Sequence, residues 1–282
     1  MKRILGIILL ILITGILIHP AYAESGAVPQ KPWEKFSINL GAFLSTIDSS
    51  IRIGANGIGV DIDVEDLLGL ESDQSVFRAD AIWRFSENRR HRFDLSWFSF
   101  NRSSFRKILD DFEVEKPDGS VILIPAGASV NSSFDLDIFK GAYSYSFFQD
   151  DRIDLGLSLG LYVMPIKAGL SVSGLVDVSE TASFTAPLPV FGLRADMAIT
   201  PQWFIRLGTD LFYMEYDKFN GTLTIAFTRL EYNPWKHVGF GLGIETFRLK
   251  IEADGEDYPN IDFKGDLQFN YTGLELYTRI IF

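Results

Sequence analysis

The chain has 282 residues and no cysteine, with 26 Lys and Arg against 37 Asp and Glu, for a net charge of −11. Without cysteine, neither disulfides nor a lipid-carrying N-terminal cysteine can hold or anchor it. The acidic balance also excludes nucleic acid as a partner, since phosphate recognition needs basic surface.

Taken from the N-terminus, Lys2 and Arg3 precede a run from Ile4 to Ile18 that is apolar except for Gly6, Thr14 and Gly15. His19, Pro20 and Ala21-Tyr22-Ala23 follow. A basic start, an apolar stretch and a small-x-small site predict a secretory signal peptide over residues 1–23, with Ala21 and Ala23 marking the cleavage site. The alternative, an uncleaved inner-membrane anchor, wants about 20 apolar residues, and this run is shorter. Removing 1–23 takes two of the 26 cations and no acid, so 24 against 37 leaves −13. Residues 24–33 are then expected to form a periplasmic N-terminal segment and 34–282 the folded domain.

From residue 34 onward the dominant pattern is alternation with period two, the signature of strands with two unlike faces. In FSINLGAFL, Phe36, Ile38, Leu40, Ala42 and Leu44 oppose Ser37, Asn39, Gly41 and Phe43. In FRADAIWRF, Phe77, Ala79, Ala81, Trp83 and Phe85 oppose Arg78, Asp80 and Arg84. RIDLGLSLGLYV is the clearest case, with Ile153, Leu155, Leu157, Leu159, Leu161 and Val163 against Arg152, Asp154, Gly156, Ser158, Gly160 and Tyr162. FGLRADMAI, WFIRLGTDLFY and VGFGLGIET repeat it, placing Arg194, Asp196, Arg206, Asp210 and Glu245 on the polar face. That face is mostly Gly, Ser and oppositely charged Arg and Asp, which suits a confined interior; the continuous Leu, Ile and Phe face suits lipid. A periplasmic β-sandwich is the alternative, but its outer face would carry plentiful, varied charge.

Connector lengths alternate. Residues 86–91, 150–151, 201–202 and 232–236 are short, whereas 54–74, about 107–132, about 173–184 and 253–264 are long. Short turns on one side and long loops on the other predict an all-β, antiparallel up-and-down transmembrane barrel with turns in the periplasm and loops outside. Ten strands are expected, near 34–53, 75–86, 91–106, 134–149, 152–172, 185–199, 202–216, 219–232, 236–252 and 265–282, with 8 or 12 as alternatives. Trp33, Trp203 and Trp235 fall at expected periplasmic ends, as an aromatic girdle requires. Apolar phase slips in two places: Leu95 and Trp97 give way to Phe98 and Phe100, and Leu136 and Ile138 to Phe139, Tyr143 and Tyr145. Bulges would produce such slips; so would an extra hairpin within 107–132, around VILIPAG.

In YTGLELYTRIIF, Leu274, Leu276, Thr278, Ile280 and Phe282 share one parity. This stretch resembles the C-terminal signal that the barrel assembly machinery reads on bacterial outer-membrane proteins. Over roughly residues 34–282 the chain resembles the small outer-membrane β-barrel superfamily that includes OmpA- and OmpW-type barrels. The resemblance implies location in the bacterial outer membrane, assembly by that machinery, and lipids and lipopolysaccharide as neighbours; it brings no catalytic motif and no oligomeric state.

Candidate sites are few. His91 and His237, the histidines outside the leader, are the natural general bases for an enzymatic reading, but both fall at expected periplasmic turns, and no catalytic residue is assigned. GFGLG (239–243) lacks the spacing and strand-to-helix context of a nucleotide motif; its glycines are expected to relieve crowding in a narrow lumen, and no cofactor is expected. Acidic loops carry Asp61, Asp63, Glu65, Asp66, Glu71 and Asp73, then Glu252, Asp254, Glu256, Asp257, Asp262 and Asp266. These are expected to be solvated charge, with divalent ions bridging them to lipopolysaccharide phosphates as the weaker alternative. Finally, Arg78, Asp80, Arg84, Asp94, Asp154, Arg194, Asp196, Arg206, Asp210, Glu245, Glu275 and Arg279 should meet inside the barrel as a paired charge network. A non-catalytic structural or surface-interaction role follows, with a narrow channel for small or hydrophobic solutes as the alternative and a lipid-modifying enzyme further behind.

Overall fold

The computed structural model describes residues 32–282, apart from 54–60, 64, 66–68, 108–110, 116–120, 125, 174–177, 217–218 and 255–263. The predicted signal peptide, with Ala21 and Ala23, lies outside the described residues.

Strand-forming alternation converts directly into an antiparallel wall. In chain order the strands are β1 (Phe36–Ile53), β2 (Asp61–Asp63), β3 (Asp73–Arg84), β4 (His91–Lys107), β5 (Phe112–Glu115), β6 (Val121–Ile124), β7 (Ser129–Gln149), β8 (Ile153–Ser173), β9 (Val178–Ala198), β10 (Trp203–Tyr216), β11 (Phe219–Tyr232), β12 (Val238–Asp254) and β13 (Lys264–Ile281). Successive long strands pair with their neighbours, and β13 pairs with β1 from Ser37↔Ile281 to Ile53↔Gly265. Ten strands therefore close into a barrel: β1, β3, β4 and β7 to β13. Over the turn-end half every wall strand is paired on both sides, the condition for a sheet to cross hydrocarbon; toward the loop end β3 and β4 pair only from Arg78↔Phe98 to Arg84↔Arg92, and β9 and β10 only from Phe191↔Leu211 to Ala198↔Phe204.

Two expectations about the loops change. The extra hairpin in 107–132 exists, with Phe112↔Ile124 to Glu115↔Val121, but it is a separate two-stranded sheet and adds nothing to the barrel wall. The link expected over 173–184 is shorter than that, because β8 and β9 each continue for 21 residues, through sequence in which Ser and Thr (Ser171, Ser173, Ser179, Thr181, Ser183) alternate with Leu170, Val172, Val178 and Phe184.

The apparent phase slips also resolve differently. Pairing runs without a shift through Phe98 and Phe100 on β4 and through Leu136, Ile138 and Phe139 on β7; the register shift found lies between Ser146 and Phe148. Parity is constant, and what changes is the chemistry of each face. Near the turn end, outward positions are apolar: Phe93, Leu95 and Trp97 on β4, Phe139, Tyr143 and Tyr145 on β7, Leu242 and Ile244 on β12. Toward the loop end the same faces become polar, with Asn101 and Ser103, Asn131 and Ser133, Arg248 and Lys250 turned outward. Inward positions do the reverse, passing from Arg92 to Phe98 and Phe100 on β4 and from Glu245 to Phe247, Leu249 and Ile251 on β12.

A strand crosses a bilayer in about 9–11 residues at the usual tilt, and the outward apolar run from Ile153 to Val163 on β8 is of that length. Beyond the belt the wall turns polar residues outward and encloses an apolar core. Leu159 lies in the belt, 66% exposed. Leu159→Arg is expected to lower the unfolding free energy in lipid vesicles by about 2–4 kcal/mol, as lipid-facing cations do near mid-bilayer, read by guanidinium titration of tryptophan fluorescence.

Candidate functional site

Among the described residues the buried charged side chains gather in the lumen, and they are layered. At the turn end, Trp33 is buried rather than set in a girdle: its indole Nε1 donates to the Asp150 carbonyl at 2.7 Å, and its ring meets Phe204 edge-on at 6.4 Å. Arg89, in the left-handed region at φ 60 in the β3–β4 turn, donates to the Trp33 carbonyl.

Above it lies the charge network. Asp196 is its hub, with Oδ2 accepting from Arg84 at 3.1 Å, Arg92 at 2.8 Å, Arg194 at 3.3 Å and Arg206 at 3.0 Å. Asp154 shares Arg84 at 3.1 Å and Arg194 at 3.0 Å. Glu231 takes Arg206 Nε at 2.8 Å, the Tyr277 hydroxyl at 2.9 Å, and Arg279. One layer higher, Arg78 joins Asp80 at 3.2 Å, Glu245 at 2.9 Å and Glu275 at 2.8 Å, while Arg229 Nε reaches Glu275 at 2.6 Å. Lys140 and the Tyr162 hydroxyl both donate to Asp210, and Tyr271 donates to Glu245 at 2.6 Å. Desolvated ions of this kind persist only when opposite charges and hydrogen bonds meet them on several sides.

Every member of the network expected from sequence faces the lumen. Those it did not supply are Glu34, Arg92, Lys140, Arg229 and Glu231. Arg92 stood inside the basic turn RRHR, and Glu34 precedes the first strand; inward parity extended from His91 into β4 would have found Arg92.

Close packing explains the glycines. A Cβ on Gly241 would meet the Tyr277 ring at 2.0 Å, and one on Gly273 the Phe43 ring at 2.2 Å. The cavity left among Arg78, Lys140, Tyr162, Asp210 and Glu245 is about 50 Å³, room for a few waters.

Over the charges sits an apolar stopper of Phe43, Phe98, Phe100, Phe134, Phe247, Phe269 and Tyr271, with Leu, Ile and Met around it. Tyr271 stacks on Phe247 at 4.8 Å, and Phe269 on Phe134 at 5.7 Å. The sequence-based expectation of a polar lumen throughout is thus corrected: the half beyond the belt is apolar, because its outer face has water to meet. At its top the buried Arg102 lies over the Phe134 ring at 5.0 Å and pairs with Glu65, which the β1–β3 connection folds inward onto the Ser49 amide (2.8 Å) and hydroxyl (2.7 Å). Glu65 was expected as solvated loop charge; an unpartnered buried Arg102 would be costly, which draws it in.

Of the other acidic residues, Glu71 is exposed, Asp73 accepts from the Thr46 hydroxyl at 2.9 Å, and Glu252 pairs with Lys250. Asp61, Asp63, Asp66, Asp254, Glu256, Asp257 and Asp262 lie outside the residues whose side chains are described. Among the described residues no cluster of three or more His, Asp or Glu is arranged to hold a metal ion. His91 lies on the outer surface with Nδ1 2.6 Å from the Tyr143 hydroxyl, and His237 Nδ1 is 2.9 Å from the Ile281 carbonyl, both at the turn end. Leu274, Leu276 and Ile280 face outward on β13, and Phe282 packs on Phe36 with ring centroids 5.4 Å apart.

A closed ten-stranded wall with an oily outer belt and a paired, filled interior decides the type. This is a β-barrel of the bacterial outer-membrane kind. Among solved structures it is similar to the outer membrane protease OmpT of Escherichia coli, at 10% identity and a TM-score of 0.50, covering 88% of this chain and 96% of that one. It also matches Ail, the attachment invasion locus protein of Yersinia pestis, at 11% identity and a TM-score of 0.34 over 88% of this chain and 99% of that one. The outer membrane protein OprG of Pseudomonas aeruginosa matches at 9% and 0.34, over 91% and 99%. No protein-family model matches the chain. No curated protein matches it. These likenesses concern the fold alone.

Asp196→Ala strips four arginines of a shared acceptor and is expected to cost about 3–5 kcal/mol, the usual penalty for breaking a buried ion pair from one side, measured by equilibrium unfolding in detergent micelles. At the β7–β8 turn, the exposed Asp150 carboxylate accepts from the Arg152 and Ile153 amides, each at 2.7 Å, and these bonds hold it below the ordinary aspartate range. Its folded-state value lies below its unfolded one, so its contribution is complete above the unfolded value and is lost as pH falls through the folded one. Asp150→Ala should therefore lower the melting temperature at neutral pH and converge with the wild type under strongly acid conditions.

Proposed function

We propose that this protein is a closed, non-catalytic outer-membrane barrel that carries a rigid, water-facing β-wall and its loops above the bilayer, in a structural or surface-interaction role. The observation that carries the reading is the exchange of faces along each strand: the belt accounts for the turn-end half, and the loop-end half is built for water. An occluded lumen supports the same reading over a solute channel, because the paired charges and then the aromatic stopper fill it in sequence. Among the described residues neither His91 nor His237 has an acidic partner, and both lie at the turn end, which favours a non-catalytic role over a lipid-modifying enzyme. The partners that fit the surface are outer-membrane lipids and lipopolysaccharide around the belt, with the barrel assembly machinery acting through β13 during biogenesis.

Because the chain has no cysteine, single cysteines report position cleanly. Cysteine at Asn101, Ser133 or Lys250 should react with a membrane-impermeant maleimide on intact cells, and cysteine at Leu159 or Leu242 should not; equal labelling of both sets would end the proposal. In planar bilayers the purified protein should give no single-channel steps, whereas steady unitary conductance would favour the channel.

A further inference from the structure

The segment 32–35 is outside the barrel wall, yet its Glu34 carboxylate sits deep in the turn-end lumen. Oε1 accepts from Arg84 Nη1 at 3.0 Å and Arg206 Nη2 at 3.1 Å, and also pairs with Arg279. Oε2 lies 3.2 Å from Arg206 Nη2. The three arginines come from β3, β10 and β13, and all are buried. Each also pairs with strand-borne acids, Asp154, Asp196 or Glu231, so the wall already supplies most of the countercharge. What the wall does not supply is the last carboxylate, at the point where the three guanidinium groups converge. Arg84 Nε and Arg279 Nε are buried there without an acceptor. Trp33 lies across the same site, its ring 5.8 Å from the Arg84 guanidinium carbon.

We propose that Arg84, Arg206 and Arg279 form a carboxylate-binding site at the turn end of the lumen, occupied by Glu34 of the chain's own N-terminal segment and able to take a carboxylate from elsewhere when Glu34 is absent. Planar guanidinium groups arriving from three directions give charge-assisted bonds to both oxygens of a carboxylate. Burial makes the empty site unfavourable, because the arginines would then hold uncompensated charge away from water. A ligand bound only by the folded form raises stability by mass action, and that gives a readout independent of any activity. The ligand chemistry is a carboxylate, from a small organic acid or from the free C-terminus of a short peptide.

The test compares Glu34→Gly, Glu34→Gln and the wild type in detergent micelles, each with formate, with a short peptide bearing a free C-terminal carboxylate, and with chloride at equal ionic strength. Glu34→Gly empties the site, so its melting temperature should fall and then rise saturably toward the wild-type value with formate but not with chloride. Glu34→Gln keeps the site filled by a neutral amide and should not respond to formate. Rescue by formate alone supports a small-acid site; rescue by the peptide as well supports a site that also accepts a peptide terminus. No saturable rise for Glu34→Gly, or the same rise in all three proteins, overturns the proposal. If Glu34→Gly does not fold by itself, it is refolded with formate and scored by heat-modifiable gel migration: recovered folding supports the site, and its absence overturns it. The closed-barrel reading is tested by conductance of the wild type, so either idea can fail without the other.

Discussion

Ions inside a barrel this narrow have almost no water to solvate them, and the rest of the structure follows from how they are satisfied. Asp196 receives four arginines and Glu275 is held between Arg78 and Arg229. These contacts join β3, β4, β9, β10, β11 and β13 across the lumen, so wall strands that are distant around the circumference are tied through the centre. Pairing also sets the spacing of small residues, since a guanidinium crossing the lumen needs a neighbour without a side chain. Gly156, whose added Cβ would lie 2.6 Å from Arg194, provides such a place.

The second constraint is that one wall meets two solvents. In the belt, acyl chains demand apolar outward residues, and the inward set is free to be ionic. Beyond the belt, water is outside, and the only place left to remove apolar surface from water is the lumen. Each strand therefore exchanges its greasy side without changing parity. The aromatic stopper is the result, and among the described residues the Arg102–Glu65 pair lies above it.

Much of this was legible in the sequence. Period-two alternation located the ten wall strands, and the short turns located their lower ends, because both are local properties. The inward Arg and Asp residues were legible for the same reason: fixed parity places Arg78, Asp154 and Arg194 on one side whatever their partners. Phe98, Phe100 and Ile138 were misread as slips because apolar was equated with outward, an equation that holds only within the belt. Glu34 and Glu65 were illegible for another reason. Neither belongs to a wall strand, and each is drawn inward by buried arginines that are distant in sequence, so no local pattern marks them. Glu231, by contrast, could have been found from parity, since it alternates with the outward Leu230 and Tyr232.

The seam between β1 and β13 carries one more consequence. It zips Ser37 to Ile281 and Ile53 to Gly265, joining residues separated by nearly the whole folded domain. Contacts of such long sequence separation are entropically late to form, and here they are the ones that turn a curved ribbon into a cylinder. Hairpins such as β11–β12 need only local chain to associate, whereas the cylinder exists only after every intervening strand has joined. Insertion is thereby kinetically divided into a progressive stage of strand addition and a single terminal event, and any defect in a middle strand will show itself as a failure to circularise.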